Sequence, residues 1–102
     1  MKTYNVKINA AANADLMSLA LFLHKVMSIE GAWKYHQNML NEVNSLSILA
    51  DLYQPSHYAD IRRYHPRARR MVSHNKRWVY IFHIEGDTVV VDHIIPSKMI
   101  TK

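Results

Sequence analysis

Seven of the thirteen Lys and Arg side chains fall between positions 62 and 77, as Arg62, Arg63, Arg67, Arg69, Arg70, Lys76 and Arg77, with no acidic residue among them. Cations at this density are what a phosphate backbone recruits, Arg through a planar fork of donors and Lys as a point charge. His74 stands inside the run and His83 shortly after it. Imidazole exchanges protons near neutral pH, so the two could serve as acid or base. The sharper reading of the run is therefore a phosphate-binding surface. Each residue also has a plainer reading. The run is equally a solvated approach to a sheet edge, Arg70 and Arg77 are equally strand residues that discourage edge pairing, and His74 is equally a solvated turn residue.

What positions these side chains is the stretch from Arg69 to Ile95, read as three antiparallel strands joined by two tight turns. Asn75-Lys76 and Gly86-Asp87 each separate runs rich in Val, Ile, Tyr, Phe and Trp. Gly86 suits the positive φ of a two-residue hairpin loop, and Asn75 tolerates the left-handed region. With two-residue loops, Met71 lies opposite Tyr80, Ser73 opposite Trp78, and Ile84, Phe82 and Tyr80 face Val89, Val91 and His93. That face is apolar and is expected to be buried, His93 with it. Alternation sends Arg70, Val72, His74, Arg77, Val79, Ile81, His83, Val90 and Asp92 to the other face, expected to be an open cationic groove without aromatic side chains.

Earlier in the chain, Tyr4, Val6 and Ile8 alternate with polar residues as in a half-buried strand. Asn9 or Asn13 supplies an N-cap for a first helix over about 13–29, with Asp15 in its first turn and a stripe of Leu16, Leu19, Ala20, Leu23 and Met27. Glu30-Gly31 reads as a break. A second helix follows with a stripe of Ala32, His36, Met39, Leu40, Val43, Leu46 and Ala50, and the short connection makes the helices an antiparallel pair covering the apolar face of the sheet. Residues 51–68, with Pro55 and Pro66, read as an irregular connection with one helical turn near Tyr58 to Arg63. Pro96 ends the last strand and a short tail follows.

Composition narrows the classes. At 102 residues the chain makes one domain, and its formal net charge of +5 favours anionic partners. No cysteine is present, which excludes disulfides, thiolate metal sites and thiol catalysis. Seven histidines are scattered with none paired at i, i+4, and there is no HExxH, Gly-rich phosphate loop or Ser-His-Asp spacing. No metal or cofactor is expected. No apolar run approaches a membrane span and no signal-peptide pattern opens the chain, so a soluble, cytoplasmic protein is expected.

The order strand, helix pair, three-stranded meander, together with Tyr4-Asn5-Val6-Lys7-Ile8, Asp15-Leu16, Val43-Asn44-Ser45-Leu46, Arg77-Trp78-Val79-Tyr80, Thr88-Val89-Val90-Val91 and Ile94-Ile95, resembles the RelE/ParE superfamily of type II toxin–antitoxin toxins. The resemblance implies an α+β fold, a cognate antitoxin as partner and one of two activities. In the RelE branch the toxin cleaves mRNA on the ribosome; in the ParE branch it inhibits DNA gyrase by protein binding. A non-catalytic basic nucleic-acid-binding domain is the remaining alternative, and a homodimer stays open. Under the RelE reading, Arg77 matches the signature arginine near the scissile phosphate, Arg70 shares its face, and His74 and His83 handle protons. Arg62, Arg63, Arg67, Arg69, Lys76 and Lys98 would then bind RNA. The chain departs from the RNase pattern after its last strand, where it offers Lys98 and no Tyr, His or Arg, and this keeps the gyrase branch open. His57, Tyr58, Arg62 and His65 of the connection are alternative sources of the missing groups.

Overall fold

The computed structural model describes residues 2–99. β1 (Asn5–Ile8) leads into α1 (Ala10–Val26), whose N-cap is Asn9 rather than Asn13: the Asn9 side chain accepts from the Ala12 N–H at 3.0 Å. The helix therefore begins and ends about three residues earlier than expected, and Asp15 lies beyond its first turn. Only Met27 and Ser28 separate α1 from α2 (Ile29–Leu49). The expected break at Glu30-Gly31 falls instead in the first turn of α2, because Ser28 caps that helix by accepting from the Gly31 N–H at 3.0 Å. A Cβ at position 31 would stand 3.1 Å from the Ser28 hydroxyl oxygen, so glycine there serves a close cap rather than a helix end.

The meander forms as β2 (Arg69–Val72), β3 (Trp78–Glu85) and β4 (Thr88–Pro96). Met71 pairs with Tyr80 as expected. In the first turn, however, Lys76 and not Asn75 takes the positive φ, 64°, while Asn75 turns its side-chain oxygen to the Ser73 hydroxyl and the Arg77 N–H. Gly86 does take φ 59°. β1 joins the sheet parallel to β4, giving the order β1-β4-β3-β2 and a mixed sheet.

One extra residue in β4 changes the parity of its second half. Phe82 pairs with Val91 but Ile81 pairs with His93, so Asp92 is a bulge and Tyr80 faces Ile94 rather than His93. His93 is thereby moved off the apolar face where it was expected. Its ring lies against Tyr64, 4.8 Å between centroids, and its Nδ1 is 3.1 Å from Asp15. The same Asp15 carboxylate accepts from the Ile94 N–H at 2.9 Å, which satisfies a strand donor beyond the end of β1.

The helix pair covers one face of the sheet as expected. Leu16, Leu19, Leu23, Met39, Val43 and Leu46 pack with Met71, Tyr80, Phe82, Val89, Val91 and Ile94. The other face is not the open groove that alternation alone suggested. Val79, Ile81 and Ile95 are apolar there and must be covered; the connection supplies Ile61, from the single turn α3 (Ala59–Arg62), together with Ala68, as a second buried cluster. Burying an isoleucine side chain contributes about 1.5–3 kcal/mol, which is enough to hold a segment that has little regular structure. The Ser56 N–H donating to the Ala68 carbonyl at 2.8 Å closes the connection on itself. It also brings Tyr58 and Tyr64 to a face expected to lack aromatic rings.

Candidate functional site

The four side chains grouped by alternation as Arg70, His74, Arg77 and His83 do not meet at one point. Arg77 precedes β3 and His83 lies near its far end. Six residues of extended strand separate them, roughly 20 Å at about 3.3 Å per residue. One phosphate cannot touch both.

At the His83 end the imidazole and its Asp92 partner are buried. His83 is 5% exposed and its Nδ1 lies 2.6 Å from Asp92 Oδ2, so the ring donates from Nδ1 to the carboxylate. Asn9 donates to the other Asp92 oxygen at 3.3 Å. His65, from the connection, stacks on His83 with centroids 3.7 Å apart and planes at 1°. The Nδ1 of His65 accepts from the Arg67 N–H at 3.0 Å, which leaves its own proton on Nε2. Glu85 lies 3.6 Å from His83 Nε2. The cluster has two carboxylates beside its imidazoles and a ring laid over them. It fastens the connection to the sheet, with His83 and Asp92 covered and Glu85 at the solvent edge.

The Arg77 end is open and cationic. Lys76, Arg77 and Lys98 line a cavity of about 360 Å³ with Trp78, Pro96 and Ser97. Two bonds assemble it from distant parts of the chain: Ser97 donates its N–H to the Arg77 carbonyl at 2.9 Å and its hydroxyl to the Lys76 carbonyl at 2.7 Å. Pro96 opposite Trp78 ends the strand ladder, and the turn Ser97–Met99 then swings Lys98 toward the hairpin.

Around the same hairpin, the Tyr80 of the signature points into the helix layer. It donates to Glu42 at 2.8 Å, and burial followed by that bond raises its phenol well above the ordinary tyrosine range. His74 is exposed on the helix side of the turn, its backbone N–H bound to the second Glu42 oxygen. It therefore shares neither a face nor a neighbourhood with His83.

The remaining cations divide. Arg69 turns to the helix side, where it donates to the Tyr53 carbonyl at 2.8 Å and caps the 3-10 turn Ala50–Leu52. Arg70 lies half-buried over the Tyr58 ring at 5.1 Å, and Arg63 over Tyr64 at 5.5 Å. Arg62, Arg63 and Arg67 are exposed on the connection. Alternation had already put Asp92 and His83 on one face. What it could not find was His65 arriving from an aperiodic stretch, nor the pairing of the turn with Lys98.

No family model matches this chain, and no curated protein does. Nine chains among solved structures do match. One of them, "Chromosomal ParDE TA system from P. aeruginosa", aligns with a TM-score of 0.76 at 20% identity over 92% of this chain and 96% of that chain. The fold is RelE/ParE-like. Likeness at this identity concerns architecture alone. Within the RelE/ParE-like fold, the cationic cavity is built by the loop before the central strand of the meander and the segment after its last strand. Among the described residues no helix is long and apolar enough to cross a membrane.

Proposed function

We propose that this chain is the toxin of a type II toxin–antitoxin pair, restrained by a cognate antitoxin protein, and that it cleaves mRNA on the ribosome at the Arg77 cavity. The observation that carries this reading is the convergence of Lys76, Arg77 and Lys98 on one exposed cavity beside Trp78. In the reaction a ribose 2′-hydroxyl attacks the adjacent phosphorus and the bond to the 5′-oxygen breaks, leaving a 2′,3′-cyclic phosphate and a 5′-hydroxyl. Charge builds on the non-bridging oxygens meanwhile. Arg77 offers them a fork of donors, with Lys76 and Lys98 as point charges. His74, the imidazole nearest in the chain, lines the cavity on the other side of the same turn and would take or return the proton from across the hairpin. This reading leaves out His83, which is buried and about 20 Å along the strand, and gives Arg70 a supporting role over Tyr58.

A second reading is favoured by the ParDE description of the solved structure, taken with the resemblance to the ParE branch: inhibition of DNA gyrase by surface binding. Induced expression with primer-extension mapping separates the two. Cuts in translated mRNA are expected. Intact mRNA accompanied by a DNA-damage response would replace the nuclease with the inhibitor, and unimpaired growth without the antitoxin would remove both.

A further inference from the structure

The hairpin that carries Arg77 has a second cavity on its other side, about 330 Å³, lined by Tyr35, Asn38, Met39, Glu42, His74 and Asn75. It borders the cationic cavity through consecutive residues, Asn75 on one side and Lys76 on the other. Trp78 is shared between them, because its ring lines the cationic cavity while its indole N–H donates to the Tyr35 hydroxyl at 2.9 Å.

The hydrogen-bonding capacity left in this pocket is specific. The Tyr35 oxygen already accepts two bonds, from Trp78 Nε1 and from Asn75 Nδ2 at 3.0 Å. Its own proton remains to be donated. Glu42 holds the Tyr80 hydroxyl on one oxygen and the His74 N–H on the other. Each carboxylate oxygen keeps a further lone pair, and an ionised carboxylate can only accept. The pocket thus offers one phenolic donor and a two-oxygen acceptor, with buried Met39 in its wall and the exposed Asn38 amide and His74 at its edge. Small-molecule sites have this composition, mostly apolar walls with a few converging polar groups.

We infer that this pocket is a base-recognition site for single-stranded RNA, taking a nucleobase whose edge carries two adjacent donors beside an acceptor, which among the four bases is guanine. Its N1–H and 2-amino group match the Glu42 carboxylate and its O6 matches the Tyr35 hydroxyl. Unstacked bases of single strands are read on this edge. The inference rests on the proposed RNA reading and deepens it: the phosphate lies in the cationic cavity and a neighbouring base across the hairpin.

The test is titration of the full chain with GMP, AMP, CMP and UMP, followed by amide and side-chain NMR shifts. GMP is expected to move Tyr35, Asn38 and Asn75 and to bind about tenfold more tightly than UMP, since a good bidentate base contact discriminates by about 1–3 kcal/mol. Glu42→Gln, which replaces one acceptor by a donor, should abolish the guanine preference. Asn38→Ala, at an exposed position, is the second variant should Glu42→Gln fail to fold, and it should weaken GMP several-fold. Equal binding of all four nucleotides, or shifts confined to residues outside this pocket, would overturn the inference. Such an outcome alongside in vivo mRNA cuts would sink the pocket and spare the nuclease. GMP binding without mRNA cuts would do the reverse.

Discussion

The two ends of β3 hold ionisable side chains under opposite conditions. At the Arg77 end, Lys76, Arg77 and Lys98 stand in solvent, and among the described residues no carboxylate lines their cavity. At the His83 end, the imidazole is buried, carboxylates lie within 2.6 and 3.6 Å, and another ring is stacked over it. Charge left unpaired in water is available to a polyanion. Charge paired under cover is already committed to holding the fold, because separating it would leave a buried group without a partner. Alternation therefore did not separate the two ends, whereas burial and partners did.

This contrast makes the two ends separable by mutation. The largest effect is expected for Arg77→Ala, a loss on the order of 10²-fold or more in growth inhibition with the melting temperature nearly unchanged, since removal of one preorganised charge-stabilising donor typically costs that much. Growth curves on induction, paired with thermal melts of purified protein, check it; persisting toxicity in a folded variant would erase the distinction. His83→Ala should show the opposite pattern. It strands the Asp92 carboxylate and removes the surface on which His65 stacks, at about 3 kcal/mol. That corresponds to a fall of roughly 10–20 °C in a domain this size. A variant that melts normally but is inactive would instead mark His83 as chemical. Lys76→Ala combined with Lys98→Ala should reduce the salt dependence of single-stranded RNA binding by about 1.4 in the slope of log K against log salt, near 0.7 for each phosphate contact. Fluorescence anisotropy across a salt series would reveal an unchanged slope. The smallest effect belongs to Ser28→Ala, far from both ends, where loss of the α2 cap costs about 1 kcal/mol and leaves RNA binding alone. A urea melt reads the first quantity, and any change in RNA affinity would mean that the helix pair and the cationic end are coupled.

Much of the architecture was legible because it follows from short-range rules. The meander, the Met71–Tyr80 pairing and the helix stripes come from period-two and period-3.6 patterning, and Gly86 marked its own turn. Errors arose where one residue shifts a frame. A hydroxyl at Ser28 set the helix boundary ahead of Glu30-Gly31, at Met27-Ser28, and the bulge at Asp92 reversed which side His93 faces. The cover over the far face escaped notice because Ile61 and Ala68 sit in a stretch with two prolines and no period. Nothing local announces that such a segment will be buried.

By itself, then, the sequence determined which elements form and which side chains alternate within each unbroken strand, since backbone geometry and hydrophobic periodicity act over a few residues. Which cations remain available was decided only by tertiary structure. Arg69 bound to carbonyls, Arg70 laid on Tyr58, and Arg77 joined by Lys98 from the far end of β4 depend on contacts between residues many positions apart. The desolvation and pairing that commit a charge exist only once the chain has closed on itself.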